Sequence, residues 1–137
     1  MSRILAIDYG QKRTGLAWTD PLRIIATGLE TLDTSQLETR LAELVRTGPV
    51  TEIVLGFPTR TDGTDTHVTQ DVRDLGARLA AAWPGVQVHY WDERFSSRQA
   101  MEAMIRGGVK KKQRSDKQLI NQVSATLILQ AFMESRG

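Results

Sequence analysis

The sequence predicts an α/β fold: a mixed five-stranded sheet, three strands antiparallel and then two parallel, flanked by helices. Three observations lead there. Five short apolar runs have strand length, near residues 3–8, 13–18, 24–32, 52–56 and 86–91. The first three follow one another through short connections, which suits an antiparallel meander. The last two are separated from their predecessors by segments of helical spacing, which implies parallel pairing through right-handed crossovers. The 137 residues are enough for one core, so the whole chain, 1–137, is expected to form a single domain.

Each element has its own justification. Ile4 to Ile7 is a buried-strand pattern that runs into Asp8, and after a short turn containing Gly10 the run Arg13 to Trp18 returns as the other arm of a hairpin. A third strand is expected from Ile24 to Leu32. Ser35 followed by Glu38 is a capping-box pattern, and Leu41, Leu44 and Val45 continue at helical spacing. Glu52 to Gly56 is a short apolar strand. Val68, Val72, Leu75 and Leu79 recur as on a helix, which Pro84-Gly85 stops. Val86 to Trp91 is the fifth strand, ending in Asp92-Glu93. A short helix from Ser97 to Arg106, closed by Gly107-Gly108, and a last helix from Lys117 to Ser135 complete the chain.

Composition narrows the function classes. No apolar run approaches the roughly 20 residues that span a bilayer, and the first residues enter a strand pattern without a signal-peptide layout. The absence of cysteine excludes disulfides and thiolate metal sites and fits a cytoplasmic protein. The net charge of +2 is unevenly distributed. Residues 94–117 hold eight Lys or Arg against Glu102 and Asp116, a net of +6, which leaves −4 for the rest. A basic segment on an acidic body suits a polyanionic partner, although it also suits a solvated loop.

In open α/β sheets, sites lie beyond the carboxyl ends of the parallel strands. Asp8 and Glu93 fall at such ends, and Gly56 marks a third. A buried strand has no structural need for a terminal carboxylate; Asp8 alone serves equally well as a turn cap. In the strand pattern His89, Trp91 and Glu93 share one face and Asp92 takes the other. If the first and last strands lie near each other, two acids meet. A cation between them relieves the repulsion, and oxygen-only ligands point to Mg²⁺ or Mn²⁺; pairing with Arg13 or Arg94 is the inert alternative. Asn121, Ala125, Ile128 and Phe132 form one stripe of the last helix, in which Asn121 is the strongly polar member. It is placed to satisfy buried backbone or to act as a third ligand. Tyr9 suits packing beside the hairpin. The three tryptophans Trp18, Trp83 and Trp91 read as core, His67 and His89 as surface or satisfied core.

Four blocks in order, "AIDYGQKRTGLAWTD" (6–20), "IVLGFPTRTDGT" (53–64), "DERFSSRQA" (92–100) and "NQVSATLILQAF" (121–132), resemble the YqgF/RuvX family over nearly the whole chain. The resemblance implies a ribonuclease H-like fold. Members are described as nucleases linked to maturation of the 5′ end of pre-16S ribosomal RNA, and some as Holliday-junction resolvases. Carried over by block, the catalytic and metal-holding residues are Asp8, Glu93 and Asn121. Members usually carry Asp at the last of these, so this chain lacks one negative charge and is expected to be impaired. Natural divergence and an engineered inactive variant both account for Asn121; the otherwise typical block favours the second. Lys12, Arg13, Arg94, Arg98, Lys110, Lys111, Lys112 and Arg114 are the expected phosphate contacts.

Two other readings stay open. Asp8-Tyr9-Gly10 also resembles the phosphate loop of actin-like and sugar-kinase modules, but such enzymes close two domains on a nucleotide and carry a second such loop, which this chain lacks. A non-catalytic nucleic-acid-binding protein would explain Asn121. A homodimer would suit symmetric cleavage of a four-way junction, and a monomer would suit trimming of an RNA end.

Overall fold

A computed structural model describes residues 2–57, 67–92 and 117–136. Its elements are β1 (Arg3–Asp8), β2 (Arg13–Thr19), β3 (Ala26–Asp33), a 3₁₀ turn (Thr34–Gln36), α1 (Leu37–Thr47), β4 (Val50–Phe57), α2 (His67–Ala82), β5 (Gln87–Asp92) and α3 (Lys117–Ser135). The strands lie in the order β3-β2-β1-β4-β5. β1, β2 and β3 pair antiparallel, while β4 joins β1, and β5 joins β4, in parallel. This is the mixed sheet that the spacing of the apolar runs predicts. The helix expected over 97–106 lies outside the described residues.

Alternation along the strands sorts the side chains onto two faces. Leu5, Ile7, Leu16, Ile53 and Leu55 face α1 and α2, where they meet Leu37, Leu41, Leu44, Val72, Leu75 and Leu79. Ile4, Ala6, Ala17 and Val54 face α3 and pack on Ala125, Ile128, Leu129 and Phe132. Each fully buried aliphatic side chain contributes about 1.5–3 kcal/mol. The stripe read from the last helix is therefore its packing face. α3 lies mainly over β2, β3 and β1. Trp18 and Trp83 pack on the first core, and Trp91 packs on the second.

Two of the element starts that differ from the sequence reading have a local reason. β3 begins at Ala26 rather than Ile24 because Asp20 captures the preceding turn. Its carboxylate accepts the backbone N–H groups of Leu22, Ile24 and Ile25 at 3.1, 2.7 and 2.8 Å. These bonds, led by that of Ile25, hold the Asp20 carboxyl below its ordinary pKa. Within this turn Arg23 adopts a left-handed φ of 59°. α1 begins at Leu37 with no side-chain cap, so Ser35 does not form the expected capping box. The chain around it is tied instead to the β1–β2 turn: the Thr34 hydroxyl donates to Gly10 O at 2.6 Å, and the Thr34 N–H donates to Lys12 O at 2.9 Å.

The amino end of the sheet is fastened by one buried acid. Glu52 of β4, 4% exposed, accepts from Arg23 Nη1 at 2.9 Å and from both Arg136 nitrogens at 2.9 and 2.6 Å, with His89 Nε2 at 3.0 Å. Burial opposes the charged form. The hydrogen bonds from Arg136 and His89 and the charges of Arg136 and Arg23 outweigh it, so the Glu52 carboxyl stays below its ordinary pKa. Arg136 also lies over the Phe132 ring at 4.8 Å. The clasp joins the β2–β3 turn, β4, β5 and the end of α3, and His89 is a satisfied, structural histidine.

Candidate active site at the carboxyl end of the sheet

β1 ends in Asp8 because the apolar run stops there and the turn begins. In register, Asp8 lies between Gly15 of β2 and Gly56 of β4, and Gly56 in turn pairs with Trp91 of β5. The row Gly15–Asp8–Gly56–Trp91 thus crosses four strands at one level. Asp8 follows Ile4 and Ala6 in alternation, so its side chain belongs to the face that α3 covers. Neither strand neighbour carries a side chain that could compete for the carboxylate.

Gly15 brings the helix in. A Cβ built on Gly15 would stand 2.2 Å from the backbone oxygen of Asn121 and 2.5 Å from its carbonyl carbon. Backbone therefore touches backbone at this point. Any other residue at 15 would lift the first turns of α3 away. Asn121 consequently sits one strand from Asp8, at the same end of the sheet, and both residues are partly buried. Glycine within a strand pattern signals such a close approach; that signal was present at Gly15 and Gly56 and marks two site-building residues that the acidic pattern alone does not.

The remaining expected residues divide by location. Lys12 is exposed in the turn that follows Asp8, and Arg13 is exposed at the start of β2. Glu93, Arg94, Arg98, Lys110, Lys111, Lys112 and Arg114 lie outside the described residues, as does the loop 59–64. β5 delivers the described chain to Asp92, on the face opposite Trp91 and paired with Phe57. Tyr9 packs on the α1/α2 side; burial first, and then the charges of Asp71 and Glu38, push its phenol pKa up against the opposing effect of Arg78. His89 and Trp91 both pack on Phe132, at ring separations of 4.9 and 6.2 Å, which establishes the α3-facing parity of β5.

Among the described residues no three His, Cys, Asp or Glu side chains cluster closely enough to hold a metal ion. The donor chemistry nonetheless fits a hard cation: a carboxylate from Asp8 and an amide oxygen from Asn121, in a chain with no cysteine thiolate.

The sequence model of RuvX, described as "Holliday junction resolvase", matches residues 2–135. The chain belongs to the RuvX family. A RuvX relative from Porphyromonas gingivalis, named "Putative pre-16S rRNA nuclease", is 44% identical over 135 residues and covers 98% of each chain. A protein of the same name from Phocaeicola vulgatus is 44% identical over 136 residues, 99% of this chain and 98% of that one. Among solved structures, Thermus thermophilus RuvC in complex with a Holliday junction substrate superposes with a TM-score of 0.58 at 22% identity, covering 99% of this chain and 96% of that one. The fowlpox virus Holliday junction resolvase superposes at 0.59 with 10% identity, covering 97% and 99%. The RuvX chain thus shares the ribonuclease H-like fold of these resolvases. Among its described residues, no helix is long and apolar enough to cross a membrane.

Proposed function

We propose that this chain is a divalent-metal-dependent nuclease of structured nucleic acid. Asp8, Glu93 and Asn121 form its metal-holding and catalytic set. Its reaction is 5′-end processing of pre-16S rRNA, resolution of Holliday junctions, or both, in the cytoplasm. The observation that carries this reading is the contact of the Asn121 backbone with Gly15, the strand partner of Asp8. It brings residues more than a hundred positions apart to one end of the sheet. The names of the relatives support the same reaction class.

Mg²⁺ or Mn²⁺ held there would supply Lewis acidity to the scissile phosphodiester and lower the pKa of water. Asp8 contributes the negative charge that retains such an ion. Asn121 offers a neutral carbonyl oxygen in its place on α3, which can ligate but cannot offset cation charge, so this chain binds metal weakly and cuts slowly. Lys12 and Arg13, exposed beside Asp8, anchor backbone phosphates without reading sequence. Arg94, Arg98, Lys110, Lys111, Lys112 and Arg114 extend that contact, so affinity falls steeply with salt. A two-fold homodimer would present two such sites to a four-way junction.

The test is a cleavage panel with Asn121→Asp, comparing structured RNA with a four-way DNA junction, each with and without Mn²⁺. The variant is expected to cut on the order of 100-fold faster than the present chain, the equivalent of two tenfold steps of barrier. Equal rates would remove Asn121 from the ligand set and leave the second reading, a non-catalytic nucleic-acid-binding protein, which the neutral residue at 121 favours.

A further inference from the structure

We propose that a cleft on the α2 side of the sheet, at the same carboxyl end as Asp8, binds one unpaired nucleobase of the substrate. This rests on the nucleic-acid reading above and adds a substrate preference to it. The cleft has a volume of about 450 Å³ and is lined, among the described residues, by Phe57, Arg73 and Tyr90. That volume lies within the range of small-molecule sites, about 300–1,000 Å³.

Three features select a nucleobase as the occupant. The wall combines two aromatic rings with a guanidinium, the side chains on which unpaired bases stack. Tyr90 is 46% exposed, although it stands on a strand whose neighbours are largely covered. Its phenol end rests on α2: a Cβ at Gly76 would lie 2.0 Å from Tyr90 Oη and 2.8 Å from Cζ. The ring is thus held against helix backbone by a glycine and still leaves area to solvent. The location fits as well. Phe57 immediately follows Gly56, the strand partner of Asp8. Two strand spacings, about 10 Å, separate β1 from β5. A single strand draped over the carboxyl edge places a phosphate beside Asp8 and a base one or two nucleotides away in the cleft.

The experiment measures fluorescence anisotropy of short single-stranded RNAs in EDTA, so that cleavage plays no part. One abasic position is moved along the strand. The expected result is a single position at which removal of the base weakens binding about tenfold, with the others nearly silent. Tyr90→Ala should weaken the intact strand by about the same factor and abolish the effect of that position, whereas Tyr90→Phe should retain both. The abasic scan uses the unaltered protein, so a folding defect in a variant cannot mimic the result. Salt-sensitive binding with a flat abasic scan overturns the cleft and leaves the nuclease reading standing. Position dependence that survives Tyr90→Ala also overturns it. Absence of binding at any salt concentration removes both.

Discussion

Two carboxylates face the same helix from neighbouring strands, Asp8 at the carboxyl end of β1 and Glu52 at the amino end of β4, and their surroundings are opposite. Glu52 is enclosed by Arg23, His89 and Arg136, so both of its oxygens are engaged within the fold. Asp8 lies between two glycines, Gly15 and Gly56, with the α3 backbone against the first. The contrast is one of neighbours: Arg23, Arg136 and His89 surround Glu52, while glycines flank Asp8 in the sheet. A buried charge persists when the protein supplies its partners, as Arg23, His89 and Arg136 do for Glu52.

That comparison can be broken first at Asp8. In the Asn121→Asp background, Asp8→Asn should lower metal-dependent cleavage by on the order of 100-fold while thermal unfolding changes little. A large loss of stability with cleavage retained would invert the assignment of the two acids. Glu52→Ala should do the reverse. It should destabilise by about 3 kcal/mol, the low end for a broken buried pair because Arg23 and Arg136 keep part of their solvent, and chemical denaturation would measure it. Gly15→Ala should cost about 2 kcal/mol, since the added methyl must push α3 outward. Introduced alongside Asn121→Asp, it should also weaken Mn²⁺ binding, which a purely structural defect would leave in step with the folded fraction. The smallest effect concerns acid stability. The Glu52 carboxyl is depressed below its ordinary value of 4.5 in the folded state. Its contribution is complete above that value and is lost as pH falls through the lower folded-state pKa. The acid limb of the stability curve should therefore be shallower in Glu52→Gln than in the unaltered protein.

Reading the residues in order located the five strands and set the ends of α3 at Lys117 and Ser135, because apolar periodicity is a local property. It placed Asn121 on the buried stripe with Ala125, Ile128 and Phe132. It erred where a side chain was diverted by a distant partner. Ser35-Gln36-Leu37-Glu38 spells a cap, but the neighbouring Thr34 bonds to the β1–β2 turn and the helix starts at Leu37, one residue later, without one. Ile24 and Ile25 are β-formers in composition, yet the carboxylate of Asp20 holds their N–H groups in a turn and leaves both side chains exposed.

The order and spacing of apolar, glycine and acidic residues determined the α/β architecture, the face of the last helix and the acid at the end of β1, since each depends on neighbours within a few positions. Tertiary structure alone decided how Glu52 is satisfied. Glu52 meets partners 29, 37 and 84 positions away, and no local pattern announces them. Tertiary structure also decided that Gly15 is the point where helix and sheet touch, because that contact exists only once the hairpin and α3 have packed on opposite sides of the same hydrophobic layer.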